Sequence, residues 1–164
     1  MKTCSRLLLA TLLFVAGLPA LSSADERIPA NGDFTATVDF STLSLSPVGD
    51  NCLLEVEGVI EFTGTLDGIA PARTRALVLA SCDDVAVNPP GAFKDVFKSR
   101  LEFAGTVNGV AVIADMTYQG ITRVGGDIDA VFTFSNGFKG VLRVDAIVAV
   151  GGSYRGFLKP SWTD

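Results

Sequence analysis

The sequence predicts an all-β domain, an eight-stranded antiparallel up-and-down barrel with one disulfide, on three observations. Beyond the first 24 residues no stretch holds a 3.6-residue apolar period for three turns. Short runs rich in Val, Phe, Thr and Ile alternate instead, punctuated by Gly, Asn-Gly and Asp-Gly. The segment Phe62-Thr-Gly-Thr-Leu-Asp-Gly-Ile-Ala70 recurs as Phe103-Ala-Gly-Thr-Val-Asn-Gly-Val-Ala111, 41 residues later. Cys52 and Cys82 stand symmetrically about Asp67-Gly68. Strands with one apolar and one polar face suit a closed barrel, which also removes sheet edges; a two-sheet sandwich is the alternative.

Residues 1–24 read as a signal peptide, with Lys2 and Arg6 before the apolar run Leu7–Leu18 and small residues Ser22-Ser23-Ala24 before Asp25. That run is too short to span a bilayer, and Cys4 would leave with it. The expectation is one secreted or periplasmic domain over 25–164, holding Cys52 and Cys82 in an oxidising compartment where they pair. Without Lys2 and Arg6 the 13 basic residues fall to 11 against 18 acidic ones, a net charge of −7. Such a chain repels nucleic acid and anionic membranes.

The strands are expected at Asp33–Leu45, Cys52–Thr65, Ile69–Cys82, Lys98–Thr106, Val110–Gln119, Asp127–Phe134, Phe138–Val148 and Ser153–Leu158. A three-residue loop at Leu66-Asp67-Gly68 would set Cys52 opposite Cys82 and Glu61 opposite Arg73. It would turn Leu54, Val56, Ile60 and Phe62 inward with Ala72, Thr74, Ala76, Val78 and Ala80. The same rule at Ser135-Asn136-Gly137 pairs Phe134 with Phe138, Ala130 with Leu142, Ile128 with Val144, and Asp129 with Arg143. For the middle hairpin a two-residue Asn108-Gly109 turn is preferred. It sets Leu101 against Met116 inside and Glu102 against Asp115 outside, whereas the three-residue version buries Asp115. Glu55, Glu57, Glu61, Arg73, Arg75, Asp129 and Arg143 then share the outer face, opposite to a lipid-facing barrel.

Asp83 to Phe97 is a long connection containing Asn88-Pro89-Pro90-Gly91. Within it Gly91–Lys98 is expected to form two helical turns, with Phe93 and Phe97 on one side, folding over one barrel mouth. Gly151-Gly152-Ser153-Tyr154-Arg155-Gly156 reads as a kinked barrel strand, not a phosphate loop.

The 164 residues contain no histidine, which excludes Ser-His-Asp and Cys-His mechanisms and imidazole metal sites. Asp83-Asp84 offers two carboxylates without the oxygen set calcium needs, and no pattern implies a cofactor or metal. Glu102 and Asp115 are the candidate acid/base pair. The interior of an eight-strand barrel either packs itself full or holds one small ligand. Here small residues on the third strand, including Ala76, suggest a pocket for a hydrophobic molecule. It is reached from the Phe93/Phe97 end, with Tyr118 and Tyr154 offering hydroxyls.

The Phe62-Thr-Gly-Thr-Leu-Asp-Gly and Phe103-Ala-Gly-Thr-Val-Asn-Gly turns and the final Gly151–Gly156 strand resemble the allene oxide cyclase and dirigent-like barrel superfamily. The resemblance extends over Phe34 to Leu158 as a strand pattern. It implies an eight-strand barrel with an apolar cavity. Members include plant cyclases, dirigent proteins that steer phenoxy-radical coupling, and bacterial proteins without known activity. No catalytic residue of the plant enzymes matches a position here, so no active site carries over. The functional expectations are therefore a barrel binding a small hydrophobic molecule; a structural or interaction module with Val131 and Val141 on its contact face; or a cyclase or isomerase using a carboxylate or tyrosine.

Overall fold

The computed structural model describes residues 27–161, which form one closed antiparallel barrel in strand order β1 to β8. The strands are β1 (Ile28–Val48), β2 (Asn51–Gly64), β3 (Leu66–Val78), β4 (Asp95–Val107), β5 (Val110–Thr122), β6 (Asp127–Phe134), β7 (Phe138–Ile147) and β8 (Gly151–Pro160). A short helix α1 (Cys82–Val87) lies between β3 and β4. The expected leader, Cys4 and Trp162 lie outside the described residues.

Closure comes from β8 pairing with β1, Ile28 opposite Leu158 through Thr35 opposite Gly151, so the sandwich alternative does not hold. Alternation sorts the faces as expected. Phe34, Ile60, Phe62, Ala72, Leu101, Phe103, Met116, Phe132, Leu142 and Val144 are buried inside. The acidic and basic residues of β2 and β3 are exposed and form the ion pairs Glu57–Arg73 (3.1 Å) and Glu55–Arg75 (2.6 Å). Such exposed pairs add little stability but keep the outer face polar.

Two hairpin registers differ from expectation, each by an even number of residues. Cys52 lies opposite Val78 rather than Cys82, Glu61 opposite Ile69 rather than Arg73, and β3 ends before Ala80. The chain reverses at Gly64-Thr65, where Gly64 takes a left-handed φ of +104°. Asp67-Gly68, the expected turn, is instead strand, paired with Thr106 and Gly105 of β4. The physical reason is Leu66. This register buries it completely at the barrel end, worth about 1.5–3 kcal/mol, more than a preferred turn type contributes.

In β6–β7, Ala130 lies opposite Val144, Phe132 opposite Leu142, and Asp129 opposite Asp145, so Ala130–Leu142, Ile128–Val144 and Asp129–Arg143 are not opposed, while the rings of Phe134 and Phe138 do meet edge-on (centroids 6.2 Å). The turn is wider because Ser135 donates its amide to the Asp115 carbonyl of β5 (2.9 Å). Asp129 pairs with Arg123. The β4–β5 hairpin has the two-residue register, with Leu101 opposite Met116 and Glu102 opposite Asp115.

The end bearing the β2–β3, β4–β5 and β6–β7 turns is packed solid. Tyr154 is fixed there: its hydroxyl accepts from Leu66 N (2.8 Å) and lies within donor distance of the Thr63 and Leu66 carbonyls (3.1 and 3.3 Å). Tyr154→Phe is expected to cost about 1–3 kcal/mol, because the buried Leu66 amide loses its acceptor. Chemical denaturation checks this; a loss below about 0.5 kcal/mol would remove Tyr154 as the fastener of that turn.

Candidate functional site: a capped cavity at the loop end

The opposite end, formed by the β1–β2, β5–β6 and β7–β8 turns and the β3–β4 connection, holds a partly open cavity of about 330 Å³. Its wall follows from residue size. Ala36 of β1 and Ala72, Thr74 and Ala76 of β3 present small side chains inward, where the packed half of the barrel has Phe62, Phe103 and Phe138. Its floor is an aromatic layer. Tyr118 stacks on Phe132 (centroids 4.5 Å), Phe97 meets Tyr118 edge-on (4.9 Å), and Phe34 meets Phe132 edge-on (5.4 Å).

The connection from Leu79 to Lys94 covers the mouth. Leu79 N bonds Lys94 O (2.9 Å) and closes its base. Helix α1 starts at Cys82 rather than within the expected Gly91–Lys98. Ser81 caps it by accepting from Asp84 N and donating to Asp84 Oδ2 (3.2 and 2.6 Å). Ser81-Cys82-Asp83-Asp84 is thus a capping sequence, the signal that could have located the helix. Asp83 and Asp84 form the first turn of α1. Cys52 and Cys82 are bonded although they are not paired in the sheet, so the disulfide ties α1 to the start of β2.

On the far rim Gly91 O accepts from Gly125 N (3.0 Å), and Gly126 O from Val148 N (2.9 Å). Gly91 has φ +84°, and a Cβ there would lie 2.6 Å from Gly126 Cα, so glycine is required for this contact. Val85, Pro89, Pro90, Ala92 and Phe93 of the cover face the cavity. At the near rim β1 bulges between Asp39 and Ser44. Asp39 Oδ1 accepts from Ser41 N and Oγ, which holds its carboxyl below the usual range, and Phe40 and Leu43 border the opening.

Of the residues expected to meet a ligand, Phe93, Phe97, Tyr118 and Ala76 line this cavity. Tyr154 does not; it is at the packed end. Phe97 reaches the cavity from β4 and not from a helix. Glu102 and Asp115 are exposed on the outer wall, so the candidate acid/base pair is remote from the cavity. Val141 is exposed beside Phe157, its cross-strand partner, with Val131 half-buried nearby.

The carboxylate inside is Asp95. It opens β4 in phase with Phe97, Ser99 and Leu101, and lies opposite the buried Thr122 of β5. Burial raises its pKa to about 6, opposed by hydrogen bonds from the Thr122 side chain and backbone. Its Oδ1 is buried without a hydrogen-bond partner. The Tyr118 hydroxyl is likewise buried and unpartnered, and burial pushes its pKa up. Ser99 and Thr74 satisfy each other at 2.7 Å. Among the cavity-lining residues the charged ones are Glu57 and Asp95, and no lysine or arginine is among them.

Sequence reasoning passed over Asp95 because β4 was expected to begin at Lys98. Extending the odd-numbered inward series back two positions reaches it. No group of three or more His, Cys, Asp or Glu able to hold a metal occurs among the described residues. No helix among them is long and apolar enough to cross a membrane. The chain matches no family model and no curated protein.

Proposed function

We propose that this barrel binds one small hydrophobic molecule in the cavity at its loop end, and that it does so in a secreted or periplasmic setting. The observation that carries the reading is the cavity itself. Protein interiors ordinarily close to voids no larger than a water. Here about 330 Å³ stays open behind an apolar wall, with two polar groups left unpaired for an incoming ligand. The bond between Cys52 and Cys82 supports an oxidising compartment, as does the signal-peptide reading of residues 1–24. The closed barrel agrees with the resemblance drawn from the glycine-bearing turns, which by itself assigns no activity.

A direct test is titration with naphthalene, a neutral apolar probe small enough for the space, followed by its fluorescence. Saturable binding is expected. Ala76→Leu, which puts three extra carbons into the cavity, is expected to weaken it at least about tenfold with the melting temperature preserved. Binding that ignores Ala76→Leu, or no uptake at all, would defeat the reading.

A second reading has its own support. A carboxylate with pKa near 6 inside an apolar cavity is suited to general acid/base work of the cyclase or isomerase kind. Organic extraction of the purified protein, then incubation of any recovered compound with fresh protein, separates the two: chemical change lost in Asp95→Asn marks catalysis, and unchanged release marks binding.

A further inference from the structure

We propose that the cavity selects an apolar amine, with its ammonium group held at Asp95 and its hydrocarbon or aromatic body on the Phe34/Phe97/Tyr118 floor. The inference rests on the binding role above and deepens it by naming the ligand class.

The cavity wall holds a carboxylate with one oxygen buried and unpartnered, and no lysine or arginine among the lining residues. Thr122 serves the carboxyl as a neutral donor only. A carboxylate withdrawn from water without a counter-charge is unfavourable, and the partner that relieves it most is a cation donating a hydrogen bond. No lysine or arginine lines the wall to supply that cation, so the ligand would bring it. Glu57, the other charged residue along the wall, is exposed and already paired with Arg73.

The charge pattern works against other classes. A fatty acid or aryl carboxylate would bring a second negative charge beside Asp95 into an apolar space. A purely hydrocarbon ligand would leave Asp95 Oδ1 without a partner. Position along the sheet adds direction. Asp95 opens β4 at the mouth, whereas Tyr118 pairs with Ser99, four residues deeper, roughly 13 Å along the strands. An amine with its charged end outward therefore places its apolar end among the rings. Size sets the remaining limit. A cavity of about 150 Å³ takes benzene, so this one takes about a dozen heavy atoms.

The test is calorimetric titration of the full barrel at pH 7.5 with 4-phenylbutylamine, 4-phenylbutanol and 4-phenylbutanoate. The three share one body and differ in the terminal group. The amine is expected to bind about tenfold tighter than the alcohol, and the carboxylate weakest, as a charge-assisted hydrogen bond replaces a neutral one. In Asp95→Asn the amine and alcohol should bind equally. An alcohol that equals or beats the amine on the wild-type protein overturns the inference and leaves the binding role standing. So does an amine preference that survives in Asp95→Asn. Failure of all three to bind, together with naphthalene, overturns the binding role itself.

Discussion

Replacing Cys52 and Cys82 together by alanine lowers the stability of the barrel by about 3.6 kcal/mol, the chain-entropy value for a cross-link spanning 30 residues. For a domain of this size that is a fall of roughly 10 °C in melting temperature. The loss should not be spread evenly. The bond joins the start of β2 to α1 and is no rung of the sheet, so the barrel keeps its hydrogen-bond ladders without it. The cover keeps its far attachment at Gly91 and Gly125 and its base at Leu79 and Lys94. Hydrogen exchange in the double variant should therefore rise first in residues 79–94 and only slightly in β4–β7. A melting temperature within about 2 °C of the oxidised wild type would show that the cross-link contributes no stability, and uniform exchange would show that it braces the barrel and not the cover.

Asp95→Asn is expected to do the reverse and stabilise the protein at pH 7.5. Burial holds the Asp95 carboxyl at about 6 in the folded chain, above its ordinary value of 3.8. Between those values the folded state keeps a proton that the unfolded chain has released. Stability from this group is thus full below about pH 4 and declines as pH rises through 6. Two pKa units correspond to about 2.7 kcal/mol at most, and partial contact with solvent reduces the expected effect to about 1–2 kcal/mol. Asparagine carries no charge to desolvate, so its melting temperature should exceed the wild type's by a few degrees at pH 7.5, with the gain gone at pH 4. An equal gain at both values would assign the effect to packing. A lower melting temperature at pH 7.5 would mean the carboxylate is not held at a cost. A residue that weakens the fold in order to keep a charge in a cavity is typical of sites that bind.

Much of this architecture was legible in the chain, and what was missed has identifiable causes. Alternation along β2, β3, β6 and β7 sorted core from surface correctly, although two of three hairpin registers were wrong. The slips are four and two residues, and an even slip returns each side chain to its own face. Polarity therefore cannot detect them. Only Leu66, which leaves a turn for the core, carried the information. The Asn108-Gly109 turn was read correctly because there a slip of one position would have buried Asp115. Charge betrays an odd error where it cannot betray an even one. At the site, Phe93, Phe97, Tyr118 and Ala76 followed from the apolar pattern. Asp95 did not, since a carboxylate among prolines and glycines looks like any solvated loop residue until its place on β4 is known. Tyr154 was misassigned because a tyrosine on an inner face points to either end of a barrel, and only the closure of β8 on β1 decides which.

That closure also governs how the protein folds. The first strand of the barrel has as a neighbour the last, and the hydroxyl that fastens the β2–β3 turn belongs to residue 154. As the chain folds, hairpins from β1 to β7 can form locally, but the outer edge of β1 stays unpaired, and Phe62 lacks the Tyr154 ring, until β8 docks. Contacts so distant along the chain make folding slow and leave a sticky intermediate in the meantime. A chain in which β8 has not yet docked stays in that vulnerable form, so the ten residues of β8 act as the latch on which its escape from aggregation depends.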